Sequence, residues 1–163
     1  MPIENVLAKA KEAAKNAYNA DWLSRAQDVA RTNAPKQGEG KVFEKLPAMK
    51  LKDFALTGNP DSPAIIIVKA INNIHETPLQ RDDGSFKSVF DAEVLMSSDP
   101  ATPAGKYSIW MDYFVLQDEL KKYAEENGDL TGKTFMICAY GKQKKIKNPK
   151  QSVYLFRVLP APE

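Results

Sequence analysis

Five strand-like runs and one helical run succeed one another between residues 64 and 159, and their order constrains the fold more than any other feature. AIIIVKAINNI (64–74) is dense in β-branched residues, which suit a pleated, half-buried surface. FKSVFDAEVLM (86–96) alternates. Phe90, Ala92, Val94 and Met96 fall on one face, and Val89, Asp91 and Glu93 on the other. YSIWMDY (107–113) is the third run. The period then switches: Leu116, Leu120 and Tyr123 recur at helical spacing, Asp118 and Lys122 stand one turn apart, and Asn127-Gly128 supplies a stop. KTFMICAYG (133–141) and SVYLFRVL (152–159) complete the set. The connections HETPLQRDDGS, with its Asp-Gly turn signal, and SSDPATPAGK read as loops.

Three strands, a helix and two strands is the element order of an OB-fold, a five-stranded Greek-key barrel with a helix between its third and fourth strands. Other small β-barrels and α+β sandwiches give the same string. The expected fold is therefore mainly β (α+β), an OB-like barrel over residues 42–163, with residues 1–41 as an N-terminal helical extension and linker. In the extension Ile3, Val6, Leu7, Ala10, Ala14 and Ala17 recur at helical spacing. Asn19-Ala20-Asp21 interrupts them, with Asp21 placed to cap a second piece carrying Trp22, Leu23, Ala26, Val29 and Ala30. This alanine-rich face is shallow and suits docking on the main domain or on a second copy of the chain, so a homo-oligomer through these helices is open. TNAPKQGEGK (32–41) reads as a linker. VFEKLPAMKLKDFALTG holds short strand-like runs that Pro47 keeps from being continuous.

Composition narrows the function. Charged residues make up 27% of the 163 and apolar residues 43%, ordinary for a globular chain and wrong for a disordered one. No apolar run approaches the roughly 20 residues that span a bilayer. MPIENVLAKAKEAAK carries both charge signs and does not read as a secretory signal, so a soluble cytoplasmic protein is expected. Cys138 is the only cysteine and His75 the only histidine, so a disulfide within the chain is excluded and a zinc site of about four such ligands is not expected. Cys138 lies in the apolar run TFMICAY and reads as an inert buried thiol. Net charge is only +2, so a nucleic-acid binder of this composition must concentrate its positive charge locally.

It is concentrated in YGKQKKIKNPKQSVYLF. Lys142, Lys144, Lys145, Lys147 and Lys150 occur with no acid among them, between the fourth and fifth strands. In an OB-fold that connection, with the one between strands one and two, walls a ligand face on strands two and three. Ammonium groups there would track a phosphate backbone, and aromatic rings would stack bases. The competing reading is a solvated hairpin tip that guards a sheet edge. Trp110 shares its strand face with Ser108 and Asp112, which marks it either as a stacking residue on a wet face or as a ring packed under the N-terminal helices. Tyr140 at the root of the lysine segment and Phe86, beside Lys87, at the root of the other loop are further stacking candidates. With Tyr107, Tyr154 and Phe156 in the core, Arg157 would face solvent as a phosphate contact, and Lys87 would add another. Asp91, Glu93 and the net-acidic loop HETPLQRDDGS oppose phosphate on that face.

GDLTGKTFMICAYGKQKKIKNPKQSVYLFRVL, with the helix and three strands before it, resembles the second half of OB-fold single-stranded DNA-binding proteins, most of all the compact forms encoded by bacteriophages. Leu130, Gly132 and Lys133 match the lead-in to strand four, and Gly141 and Lys142 match the opening of the basic loop. The resemblance implies sequence-independent binding of single strands in replication, recombination or repair, by lysine contacts and aromatic stacking and without a cofactor. Replication or recombination proteins would be its partners. Many bacterial members end in an acidic partner-recruiting tail, whereas this chain ends VLPAPE.

Catalysis is not expected. The single histidine has no evident Ser or Asp partner, and Gly132-Lys133-Thr134 lacks the first glycine of a phosphate-binding loop and leads into a strand. The alternative function is an OB-like protein-interaction module, a replication or virion assembly factor that does not touch nucleic acid.

Overall fold

The longest strand is the hub of the sheet. The computed structural model describes residues 3–29, 46–82, 84–148 and 150–162. Its elements are α1 (Ile3–Ala17), α2 (Ala20–Val29), α3 (Leu51–Leu56), β1 (Ala64–Ala70), β2 (His75–Gln80), β3 (Phe86–Ser97), β4 (Gly105–Trp110), α4 (Phe114–Asn127), β5 (Thr134–Lys144) and β6 (Ser152–Pro160). β1 and β2 lie end to end along one edge of β3: Ile66 to Ala70 face Ser97 to Ala92, and His75 to Gln80 face Val89 to Phe86. β4 takes the other edge of β3, while β5 and then β6 add beyond β1. Among the described residues the chain is thus mixed α+β, with an open six-stranded antiparallel sheet and four helices. None of those helices is long and apolar enough to cross a membrane.

The expected closed five-stranded barrel is corrected by what occupies the gap between β4 and β6. The Ser108 amide donates to Pro47 O, and Met49 N donates to Ser108 O, both at 2.9 Å, so the segment before α3 holds the outer edge of β4. α3 then packs on β5, with Leu51, Phe54 and Ala55 buried. A strand was expected over these residues. Leu51, Phe54 and Ala55 instead form one face of a short helix, which their spacing of three and four permits. The end of α3 meets β5 backbone to backbone. A Cβ on Gly141 (φ +76) would stand 2.5 Å from Gly58 O, and one on Gly58 2.4 Å from Ala139 O, so only glycine fits at either place.

Alternation sends the strand residues to two different cores. On one face Ile66, Val68, Phe90, Ala92, Val94, Ile109, Phe135, Ile137 and Phe156 pack with Phe54 of α3 and with Leu116 and Leu120 of α4. The helical reading of α4 holds, with Gly128 ending it at φ 86 and Asp118 pairing with Lys122 at 2.9 Å. On the other face Ile65, Ile67, Met136, Cys138, Tyr140 and Leu155 meet Val6, Ala10 and Ala14 of α1 and Trp22 and Ala26 of α2. Met96 joins this second face and not that of Val94. A bulge between Ile67 and Val68 sets two β3 residues against one β1 step and reverses the alternation.

Two further local expectations change. HETPLQ is the edge strand β2, whose Pro78 interrupts the register with β3 and suits a sheet edge. The cap of α2 is Asn19, whose Oδ1 accepts from Trp22 N at 2.9 Å, and Asp21 lies inside the first turn. The linker expected at 32–41 lies outside the described residues.

Candidate nucleic-acid interface

The lysine segment is a strand hairpin more than a loop. β5 runs on through Lys142 and Lys144, which pair with Tyr154 and Ser152 of β6, and only residues 145–151 form the tip. Lys142, Lys144, Lys147 and Lys150 are exposed, and Lys145 is half-buried. Gly141 supplies the bulge that lets β5 turn outward between Ala139 and Lys142. Beyond it, Lys142, Lys144, Ser152 and Tyr154 share one face, because they are cross-strand partners.

Tyr154 is the aromatic centre of that face. Its ring lies 5.7 Å from Lys142 Nζ and 5.1 Å from the Tyr113 ring, which in turn lies 5.4 Å from Phe156. Rings therefore run from the buried core out to the first lysine. Tyr154 is only half-buried, and so it presents a ring surface beside the Lys142 ammonium. Sequence reasoning assigned it wholly to the core. Val153, Tyr154, Leu155 and Phe156 are all apolar or aromatic, so alternation alone could not say which face is wet.

Other expected residues are placed elsewhere. Trp110 is 2% exposed, so its ring is closed to a base. Its polar neighbours are buried and paired instead of wet: Ser108 Oγ donates to Asp91 Oδ1 at 2.7 Å, and Asp112 meets Lys87 at 3.4 Å. Lys87 is thereby held in a buried ion pair and is not a surface phosphate contact, since stripping its partner would cost about 3–5 kcal/mol. Phe86 is exposed, but it sits at the tip of the β2–β3 hairpin, which extends past Ala70, while the lysine hairpin extends past Ala64 at the opposite end of β1. The expected ligand face on β3 and β4 carries Asp91 and Glu93, with Asp91 further engaged by Asn72.

Tyr140 and Arg157 fasten the N-terminal helices. The buried Tyr140 hydroxyl donates to Ala14 O at 2.6 Å, and its ring packs on Tyr18 and Trp22. Arg157 was expected to face solvent. It donates to Ala17 O, lies 5.3 Å from the Trp22 ring centre, and approaches Glu119 at 3.7 Å. Its face of β6 is covered by α1 and α2, which the strand pattern could not reveal. Glu119 also accepts from Val158 N at 3.1 Å. Burial raises its carboxyl above the ordinary value of 4.5, against the lowering effects of Val158 N–H, Arg157 and Trp22. Cys138 lies under the same helices, and burial pushes its thiol up.

The raised carboxyl has a measurable consequence. A folded-state pKa above the unfolded one means that protonated Glu119 stabilises the fold at low pH, and that this stability is lost as pH rises through the raised value. Glu119→Gln keeps an acceptor for Val158 N–H. At neutral pH it is expected to be at least as stable as the parent, with the advantage shrinking as pH falls towards 4.5. Urea unfolding at several pH values checks this, and a difference that ignores pH would show that the carboxyl is unperturbed.

Among the described residues, no group of three His, Cys, Asp or Glu is placed to hold a metal ion. No protein-family model, curated protein or solved structure matches the chain.

Proposed function

We propose that the chain binds single-stranded DNA without strong sequence preference, through the β5–β6 hairpin. The observation that carries this reading is the half-buried Tyr154 ring beside Lys142, on a hairpin whose Lys144, Lys147 and Lys150 are also exposed. Ammonium groups follow a flexible phosphate backbone, and a ring set among them stacks a base of any identity. The pairing order β4-β3-β1-β5-β6 supports an OB-like relationship, because it is the OB order with the contact between third and fifth strands missing. Replication, recombination or repair is the setting in which such binding is used, with other proteins of those processes as partners.

The binding site differs from the one expected on β3 and β4, where Trp110 is buried and Asp91 and Glu93 repel phosphate. Both tryptophans are buried, so the test uses a fluorescein-labelled oligo-dT and reads anisotropy. Single strands are expected to bind more tightly than duplex of equal length, with about 4–16 nucleotides occupied. Tyr154→Ala is expected to cost about 1–3 kcal/mol of binding. Equal or tighter binding of duplex, or no binding of either at low salt, would overturn the reading and favour a protein-interaction module.

A further inference from the structure

The tip of the lysine hairpin is held by a residue from the far end of the chain. Gln27 of α2 is only 9% exposed. Its Nε2 donates to Lys144 O at 3.3 Å, and its Oε1 accepts from Ile146 N at 2.9 Å. A carbonyl at one residue and an amide two residues on are the groups that a parallel neighbouring strand engages. One side-chain amide thus takes the place of a strand beside Lys145, on the edge of β5 that β1 leaves after Ala64. Inside the hairpin, Lys145 N donates to Gln151 O, and Gln151 N to Asn148 O.

Apolar packing does not hold this contact. Between α2 and the tip lies a cavity of about 270 Å³ lined by Ser24, Gln27, Asp28, Lys145 and Ile146 among others. Ile146 leaves its side chain 68% exposed. An ion pair also crosses the gap, joining Lys147 to Asp28 at 3.4 Å with both side chains in solvent, and pairs of that kind contribute about 0–1 kcal/mol. α2 itself is anchored to the sheet through Trp22 and Ala26, so Gln27 relays a rigid position to a segment with little packing of its own.

We infer that Gln27 is a positioning residue: it fixes the tip of the basic hairpin, and through it the N-terminal helices set the affinity for the strand. This rests on the DNA-binding reading only in its last step. Fixing the tip holds Lys144, Lys145 and Lys147 in one arrangement, so a phosphate backbone meets ordered charges and not a mobile loop whose ordering would offset the affinity gained.

The test is amide hydrogen exchange by NMR on the full chain, together with anisotropy titrations of labelled oligo-dT at two salt concentrations. In the wild-type chain the Ile146 amide is expected to be protected while that of Lys147 exchanges freely. Gln27→Met keeps the side-chain length and removes both bonds. It is expected to speed Ile146 exchange roughly tenfold or more and to weaken oligonucleotide binding several-fold, with the melting transition little changed. Asp28→Asn, which removes only the exposed pair, is expected to leave Ile146 protected. Ile146 exchanging as fast as Lys147 in the wild-type chain would overturn the inference without any variant. Faster exchange with unchanged affinity would overturn the link between helices and strand. If the wild-type chain binds no oligonucleotide but Gln27→Met still exposes Ile146, the DNA-binding reading falls and the positioning of the tip stands.

Discussion

Changing Lys142, Lys144, Lys147 and Lys150 together to glutamine is expected to weaken binding to every single-stranded sequence alike and to flatten its salt dependence. Each phosphate neutralised on a single strand contributes about −0.7 to the slope of log affinity against log salt, so three engaged lysines supply a slope of about −2. The four side chains are exposed and the core reaches none of them, so the fold should persist. Lys145 is left in place because it is half-buried. The ion pair of Lys147 with Asp28 does not reserve that lysine, since an exposed pair is readily exchanged for a phosphate. The check is a titration at several salt concentrations beside a melting curve. A variant that keeps both affinity and slope would make the hairpin a solvated sheet edge and would shift attention to protein partners.

Trp22→Ala is expected to have the largest effect on stability. The ring is nearly inaccessible and contacts Tyr18, Tyr140 and the Arg157 guanidinium. Removing a core tryptophan costs about 3–5 kcal/mol. For a chain of this size that lowers the melting temperature on the order of 10 °C. Trp22→Phe keeps the packing without the N–H and should fall between the two. A melting temperature within a degree or two of the parent would mean that α1 and α2 do not depend on this contact. Because α2 carries Gln27, undocking it should also weaken oligonucleotide binding, which the same sample can report.

Local pattern was enough for a large part of this protein. β-branched density and alternation place β1 and β3, and they choose Phe90, Ala92 and Val94 for one face. A change of period places α4, picks Leu116 and Leu120 as its buried side, and puts its end at Gly128. These inferences succeed because they depend on neighbours within a few residues.

What covers a face is another matter. Alternation says which side chains share a side of a strand, not whether that side meets water. β5 and β6 are apolar on both sides because one side meets α3 and α4 and the other meets α1 and α2. That double coverage buries Tyr140 and half-buries Arg157, two residues that strand pattern alone would turn to solvent. Trp110 misled for a related reason: Ser108 and Asp112 are polar, yet inside the fold Ser108 donates to Asp91 and Asp112 is ion-paired with Lys87. The open sheet depends on Pro47 to Met49 taking the edge of β4, a pairing across some sixty residues of chain that no local period encodes. The lysine cluster was legible as charge from the sequence alone. Its shape, a strand pair steadied at its tip by Gln27 from the other end of the chain, came only from the tertiary structure, since hydrogen bonds between residues 117 and 119 positions apart leave no trace in either local sequence.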